Sequence, residues 1–438
     1  MAGEHDELGF FEKTGDILDH AVITVRQLLT DDDLLHHGSL LAGATVLSGG
    51  LNYAFQIFMG RALGPGQYGV FGALFSLFYL VSVLGSGIRF SASRFTAELK
   101  EDGEGVSTLH HGLVFRSFLV GCGIAVLLSF ASPVISEFLQ LSSVWPVITV
   151  AGMIPFAFGV TANMGSFEGL QRFAPLGAYN VLRAGTKLFA GAGLVLLGYG
   201  IYGALGAVVI AAATVFTLTT LHIRRQFPAD QGHLSQLHQF DYGEVYRFVP
   251  PAVLAGFCIT VPANADVLLV RHFFPGEQAG LYTAASVLGK VLVFFPTGIS
   301  TALFPKVTSD YSSGNGEEMY GLLRRALLYT AVTAGSGALV FWIVPTIVLE
   351  LLFGATYAAA APLVRWYGVA IFAFVLAVVV LNFQLARDRM RFVYVFAATT
   401  VIEIGLMWAA HGSMVRIIQV ILIVNAGLFA YGISEVRR

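Results

Sequence analysis

Apolar runs long enough to cross a bilayer recur along the whole chain. A transmembrane helix needs about 20 predominantly apolar residues, and the 438-residue sequence holds twelve such runs. Backbone groups inside a membrane must find hydrogen-bond partners within their own segment, so we predict that these runs are helices. The predicted spans are residues 38–60, 67–88, 112–131, 144–164, 174–198, 201–221, 246–270, 279–303, 323–349, 362–384, 391–411 and 414–434.

The composition excludes a soluble protein of this length. Only 12% of the residues are charged and 56% are hydrophobic, whereas an ordinary soluble domain carries about 25% charged residues. A single soluble core also stops growing at about 250–300 residues. Ten-residue segments of strict alternation, which are typical of outer-membrane barrels, do not recur. We therefore predict an all-α polytopic membrane protein with about 12 transmembrane helices.

A short motif follows both the first and the seventh predicted span. Residues 61–71 read RALGPGQYGVF and residues 271–282 read RHFFPGEQAGLY, so Arg, Pro, Gly and Gly recur in order with one inserted residue. The offset of 210 residues is close to half the chain. Six spans is an even number, so both halves enter the membrane in the same direction. The motif predicts two six-helix lobes related by a pseudo-twofold axis along the membrane normal, with binding near the midplane between them.

Positively charged residues set the predicted orientation. The connections after odd-numbered spans hold few Lys or Arg residues, whereas the opposite side of the membrane collects sixteen. Lys and Arg accumulate on the cytoplasmic side, so we predict a plasma-membrane protein with both termini inside. We divide the chain into a cytoplasmic extension with an amphipathic surface helix, an N-terminal lobe, an inter-lobe loop and a C-terminal lobe, at residues 1–37, 38–222, 223–243 and 244–438.

Ionisable residues inside the spans form the candidate site, because such side chains are costly in a bilayer. Asn180, Arg183 and Lys187 of the fifth span lie at positions i, i+3 and i+7, which places them on one helix face near mid-bilayer. We name this set the cationic face. Lys290 of the eighth span lies at a similar depth. We predict a central cavity that attracts an anion such as phosphate or pyrophosphate.

Other polar residues inside the spans have two open interpretations. Asp266 lies in the seventh span and Glu403 lies in the eleventh. These carboxylates either form ion pairs with Lys290 or take up H⁺ or Na⁺ during transport. Asn52 and Gln56 of the first span either contact the substrate or form interhelical hydrogen bonds.

No enzyme chemistry is indicated by the sequence. It holds no Cys/His cluster with metal-ligand spacing, no nucleophile elbow and no phosphate-binding loop. We therefore predict no cofactor, no metal site and no catalytic residue. Tyr68 is interpreted as an interfacial anchor, and His110 and His111, at a membrane edge, are expected to be solvated.

Two segments resemble a known family. Residues 167–173, FEGLQRF, lead into the cationic face and resemble the fourth-to-fifth-span segment of Wzx-type polysaccharide flippases. Residues 264–285, which contain Asp266 and the run GLYTAA, look like that family's seventh-to-eighth-span signature. These flippases belong to the multidrug/oligosaccharidyl-lipid/polysaccharide (MOP) exporter superfamily. The likeness covers about residues 38–436.

The resemblance implies alternating access between two six-helix lobes. It implies that a glycan carried on a polyprenyl or dolichyl phosphate moves from the cytoplasmic to the outer leaflet, with Arg183, Lys187 and Lys290 contacting its phosphates. The expected partners are this lipid-linked glycan and membrane lipids, without nucleic acid, and we expect a monomer. The acidic N-terminal extension departs from the short amino terminus usual in the family. It leaves open the docking of glycan-assembly proteins.

The main alternative is a cation-coupled multidrug or small-molecule exporter of the same superfamily. Such exporters typically place an acid in the N-terminal lobe, and here spans one to three contain no deep carboxylate. That pattern disfavours a cationic substrate. A lipid-linked peptidoglycan-precursor flippase usually has fourteen spans, and a membrane glycosyltransferase or polymerase would need acidic outer loops that this sequence lacks.

Overall fold

The described part of the chain is helical almost throughout. The computed structural model describes residues 32–99, 103–227, 242–293, 316–387 and 389–436. The predicted surface helix at residues 14–30 lies outside these described residues. All twelve predicted spans begin inside these ranges.

The helices of the first half agree with the first six predicted spans. They are α1 (Asp32–Glu98), α2 (Gly103–Phe130), α3 (Ser132–Phe138), α4 (Trp145–Gly169), α5 (Phe173–Leu194) and α6 (Gly200–Gln226). α1 contains spans one and two, and its helix is interrupted at Gly64, where φ is +68°. A π-helical turn at Val195–Tyr199 joins α5 to α6, and Gly198 within it has φ +93°. Glycine reaches these angles without steric cost. Each of the two glycine breaks lies between two predicted spans.

The helices of the second half begin and end less regularly. They are α7 (Tyr242–Thr260), α8 (Ala265–Phe273), α9 (Gly276–Lys290), α10 (Gly316–Ile343), α11 (Pro345–Leu352), α12 (Ala361–Ala386), α13 (Met390–Ala409) and α14 (Met414–Val436). α7 and α8 are bent by 53° at a break that includes Pro262, as in a broken span or a re-entrant loop. Pro345 does not lie inside the ninth span as predicted, because that helix ends at Ile343 and Pro345 starts α11. Proline suits the first position of a helix, where no N–H bond is lost.

The number of spans is consistent with the prediction. Eight described helical segments are long and apolar enough to cross a membrane, or nine when the bent α7–α8 pair is counted as one span. Two of the eight, at Leu41–Glu98 and Phe173–Gln226, are 58 and 54 residues long. A span needs only about 20 residues. Each of these segments therefore holds two spans, one on each side of its glycine break. The eighth predicted span continues past Val293 into residues outside the described ranges.

The two copies of the Pro-Gly motif pack against each other between the lobes. A Cβ atom on Gly69 would collide with the backbone of Gly276 and Gly280, and a Cβ atom on Gly280 would collide with the Pro65 carbonyl oxygen. These contacts are reciprocal, as a twofold relation between the halves requires. We call this end of the molecule the repeat end. It is the end that the sequence predicts to face outward.

Tyr68 belongs to this packing between the lobes, so its interpretation as an interfacial anchor was wrong. The side chain is completely buried. Its ring lies 5.8 Å from the Phe353 ring and 6.2 Å from the Tyr357 ring of the other lobe. An aromatic residue at a span end gives the same sequence pattern whether it faces lipid or a second lobe.

His110 is buried rather than solvated, which corrects a second prediction. Its Nε2 atom lies 2.8 Å from Asn163 Oδ1. The Asn163 amide donates hydrogen bonds of 2.7 and 2.9 Å to the hydroxyls of Thr219 and Thr220. This network joins α2, α4 and α6 across the N-terminal lobe. Polar side chains between spans hold helices together in this way, so we assign Asn163 a structural role.

Candidate functional site

The cationic face is formed on α5, as the residue spacing predicts. Lys187 is buried and its ammonium group donates to Asn52 Oδ1 on α1. The Asn52 amide is held in turn by the Ser48 carbonyl at 2.8 Å. The Lys187 Nζ atom also lies 4.8 Å from the centre of the Phe55 ring, within the range of a cation–π contact. The lysine is therefore positioned by an amide and an aromatic ring.

Arg183 is exposed, but on a side of α5 that differs from the lipid-facing side. Leu182 and Phe189 are exposed and lie seven residues apart, so they mark an apolar stripe. Arg183 shares a helix face with Lys187, which follows it by four residues. The Arg183 Nη2 atom is 3.5 Å from Asn180 Oδ1. It interacts electrostatically with Tyr79 of α1. This face of α5 is turned toward the first two spans.

The positive charge of the cationic face is not neutralised within the described residues. The ion pairs found there are Arg89–Glu168, Arg94–Glu98 and Arg391–Glu435, none of which includes Arg183 or Lys187. Arg89 holds Glu168 with two nitrogen atoms, one of them 3.1 Å from Oε1. An arginine fork of this kind satisfies a carboxylate well. The FEGLQRF segment therefore contributes an internal ion pair beside the site.

Gln56 lies one helical turn after Asn52 on α1 and is half-buried. Residues four apart on a helix share one face, so Gln56 and Asn52 extend the polar surface of the cationic face toward the repeat end. Five of the predicted residues thus lie on α1 and α5 of the N-terminal lobe, and contacts join Lys187 to Asn52 and Arg183 to Asn180. We name this group the N-lobe cationic cluster, and it consists of Asn52, Gln56, Asn180, Arg183 and Lys187.

Asp266 occupies the centre of a second cluster, in the C-terminal lobe. Its side chain is completely buried, and Oδ2 accepts hydrogen bonds from the hydroxyls of Tyr282, at 2.9 Å, and Tyr367, at 2.7 Å. Oδ1 has no hydrogen-bond partner among the described residues. The Tyr367 hydroxyl is also 2.9 Å from Ser286 Oγ. A buried carboxylate with one free oxygen retains the capacity to bind a proton or a cation.

Glu403 is the second buried carboxylate of this lobe. Its Oε1 atom accepts a 3.1 Å hydrogen bond from Asn425 of α14. Glu403 and Asp266 interact electrostatically. Both carboxylates are buried in the C-terminal lobe. We name Asp266, Tyr282, Tyr367, Glu403 and Asn425 the C-lobe carboxylate cluster.

Lys290 belongs to the C-terminal lobe and is half-buried. Its Nζ atom donates to Asn264 Oδ1 at 3.3 Å and interacts electrostatically with Asp266. Asn264 occupies the break between α7 and α8, which turns its side chain toward α9. The predicted residues thus divide into two groups, one in each lobe, and Lys290 lies with the carboxylates.

Sequence reasoning missed the partners of the two carboxylates. Tyr282, Tyr367 and Asn425 are buried and each contacts a carboxylate oxygen. A polar residue inside an apolar span was the available signal, because Asn425 is flanked by aliphatic residues in the sequence. No group of three or more potential metal-ligating side chains occurs in the ranges that the structure describes.

Comparisons with known proteins place the chain in a family. A family model described as "Polysaccharide biosynthesis protein" matches residues 34–309, which is more than half of the chain. Among curated proteins, no sequence is significantly similar.

Several solved structures share the fold at low sequence identity. The "Lipid II flippase MurJ, inward closed conformation" has a TM-score of 0.74 at 15% identity, covering 91% of this chain and 87% of that chain. A MATE family multidrug resistance transporter of the MOP superfamily, in an inward-facing conformation, has a TM-score of 0.71 at 14% identity, covering 88% and 94%. These likenesses establish the fold.

An outward-facing transporter of the same superfamily also shares the fold. An outward-facing MATE family transporter of the MOP superfamily has a TM-score of 0.63 at 14% identity, covering 91% of this chain and 95% of that chain. The chain belongs to the polysaccharide biosynthesis protein family and has the fold of the MOP exporter superfamily, as its sequence resemblance implied.

Proposed function

We propose that this protein is a flippase that moves a lipid-linked oligosaccharide from the cytoplasmic to the outer leaflet of the plasma membrane. The carrier is a polyprenyl or dolichyl phosphate, and the product serves surface polysaccharide or glycoprotein glycan assembly. Both termini lie in the cytoplasm, and the repeat end faces outward. The family match and the fold of MOP transporters support the transport class, and the positive charge of the site supports an anionic substrate.

The observation that carries the proposal is the uncompensated positive charge of the N-lobe cationic cluster. Arg183 is exposed on a non-lipid face, Lys187 lies four residues away, and neither has a carboxylate partner among the described residues. A guanidinium group binds phosphate oxygens through two parallel N–H bonds, and an ammonium group adds a point charge. Amides from Asn180 and Asn52 complete a surface that suits a phosphate or pyrophosphate.

The C-lobe carboxylate cluster supports a coupling role. Asp266 and Glu403 are buried and interact with each other, and Asp266 keeps a free oxygen within the described structure. We propose that this cluster takes up H⁺ or Na⁺ and that its occupancy differs between the two conformations. A ligand shifts a conformational equilibrium only by its differential affinity for the two states, and a buried acid pair offers such a difference.

The alternative is a cation-coupled exporter of small molecules. The same pair of buried carboxylates favours it, because acids of this kind also bind cationic substrates. The N-terminal lobe argues against it, since Glu168, the one carboxylate within α4–α6, is held by Arg89. A cationic drug that entered between the lobes would meet Arg183 and be repelled.

Flipping by purified protein in sealed liposomes tests the proposal. The probe is a fluorescent oligosaccharide on polyprenyl pyrophosphate, and a membrane-impermeant quencher reports the leaflet. We expect the protein to reduce the fraction of lipid fluorescence that the inner leaflet protects from the quencher. If the folded protein moves no such lipid but drives ion-dependent efflux of a cationic dye, the exporter alternative replaces the flippase.

A further inference from the structure

Arg61 reaches from the N-terminal lobe to a helix end in the C-terminal lobe. Its Nε atom donates to the Leu352 carbonyl at 2.7 Å and its Nη2 atom donates to the Leu351 carbonyl at 2.5 Å. These two residues are the last of α11. The carbonyls at a helix C-terminus lack intrahelical partners and carry partial negative charge, so a guanidinium group satisfies them well.

Arg271, the matching residue of the second motif, makes the converse contact. It is buried and its Nη2 atom donates to the Gln140 carbonyl at 2.8 Å, two residues after the end of α3 in the N-terminal lobe. The neighbouring His272 lies 2.8 Å from the carbonyl of Phe138, the last residue of α3, through Nδ1. The Gln140 amide returns a 2.6 Å hydrogen bond to the His272 carbonyl.

The two acceptor sites are built alike. α3 and α11 are short helices, each between the third and fourth spans of its lobe. Two residues beyond each helix, Gln140 has φ +50° and Gly354 has φ +98°. A left-handed residue at this position ends a helix, and its N–H bonds back to a carbonyl of the last turn, here from Gln140 to Glu137 and from Gly354 to Glu350. The carbonyls of Leu351 and Leu352, and that of Gln140 just beyond α3, accept from the arginine of the other lobe instead.

We propose that Arg61 and Arg271 form a pair of reciprocal latches that hold the repeat end closed in this conformation. Every hydrogen bond of the latches crosses from one lobe to the other, so the lobes separate at this end only when these bonds break. Arg61 is exposed and water can replace its bonds, whereas the Arg271 side chain is buried although its acceptor residue Gln140 is exposed. Opening therefore requires water or substrate to reach the buried Arg271 guanidinium group. This inference rests on the proposed transport function, because a gate needs alternating access.

Distance measurement between spin labels tests the latches without any substrate. Labels on Ser142→Cys and Thr356→Cys, which are exposed at the repeat end of the two lobes, report their separation by double electron–electron resonance. Cys122 and Cys258 are first replaced by alanine. We expect Arg61→Ala/Arg271→Ala to add a longer-distance population. The Arg61→Lys/Arg271→Lys variant keeps both positive charges but loses the guanidinium hydrogen bonds. It should give a smaller longer-distance population than the double alanine variant.

A matched control removes an arginine that is outside the latches. Arg416 is also exposed at the repeat end, and Arg416→Ala should keep the parent distance distribution. An unchanged distribution in the folded double alanine variant overturns the latch. If the double alanine variant shows the longer-distance population but the wild-type protein flips no glycolipid, the latch proposal stands and only the flippase proposal fails. If the alanine variants do not fold, the lysine variants are measured instead, and an unchanged distance distribution in them overturns the latch.

Discussion

Lys187 of α5 and Glu403 of α13 occupy corresponding positions in the two lobes. The buried residues of α5 include Leu176, Ala184 and Lys187, and the same pattern recurs 216 residues later on α13, ending at Glu403. The repeat therefore places a cation at one position and a carboxylate at its equivalent. This opposition is consistent with our proposal that one lobe binds an anion and the other a cation.

We expect Lys187→Met to separate binding from stability. The buried ammonium group has an amide and ring contacts but no carboxylate partner in the described structure. An apolar side chain of similar length can replace a buried charge at little or no cost in stability. Transport should fall by about ten-fold, which corresponds to roughly 1.4 kcal/mol. The measurement pairs liposome flipping with thermal unfolding in detergent. A large loss of thermal stability would instead indicate a structural lysine.

We expect Asp266→Asn to abolish the dependence of transport on an imposed H⁺ or Na⁺ gradient. The amide keeps the size of the carboxyl group but removes its charge and one acceptor for Tyr282 and Tyr367. Glu277 is an exposed carboxylate near the start of α9, so Glu277→Gln serves as the control and should behave as wild type. Flipping rates with and without each gradient provide the measurement. Unaltered gradient dependence in Asp266→Asn would remove the coupling role.

We expect Gly280→Ala to disturb the packing between the lobes. The added methyl group would overlap the Pro65 carbonyl, so the lobes must separate or the backbone must shift. Gly66→Ala is the matched control, because a Cβ atom there meets nothing within 4 Å. The alanine at residue 280 should lower the thermal midpoint and lengthen the distance between labels at residues 142 and 356. Equal behaviour of the two variants would contradict the reciprocal packing.

We expect Asn163→Ala to lower stability without a specific effect on substrate. The substitution leaves His110, Thr219 and Thr220 without their shared partner. Interhelical hydrogen bonds in membranes contribute about 0.6–2 kcal/mol each, so the thermal midpoint should fall by several degrees. Ser129→Ala removes only a bond to its own helix and is the control. Loss of transport at full thermal stability would point to a role in binding instead.

The sequence predicted the helices, their approximate bounds and the repeat, because bilayer length and apolar periodicity leave few alternatives. It also predicted the cationic face, since residues at i, i+3 and i+7 of one helix share a side whatever the tertiary structure. Contacts between distant segments were not predictable in this way. Tyr367 is 101 residues from Asp266, and Leu351 is 290 residues from Arg61.

Burial was the second property that the sequence left undetermined. Tyr68 and His110 lie at span ends, where water, lipid and a second lobe give the same local pattern, and both proved to be buried. The short helices α3 and α11, whose ends receive the latches, follow the third and ninth spans directly. Seven or eight residues at a span end are too few to show a separate helix by periodicity alone.

The most direct test of the account is flipping of the fluorescent glycan pyrophosphate lipid by the Arg183→Gln/Lys187→Gln variant. Arg225→Gln, which removes an exposed arginine of the same lobe, is the control. We predict that the double variant reaches the membrane, unfolds at the wild-type temperature and moves the lipid at least about ten-fold more slowly, because each charged contact is worth roughly 1.5–3 kcal/mol. The control should keep the wild-type rate. Wild-type flipping by the double variant would contradict the assignment of the cationic cluster to the substrate's phosphates.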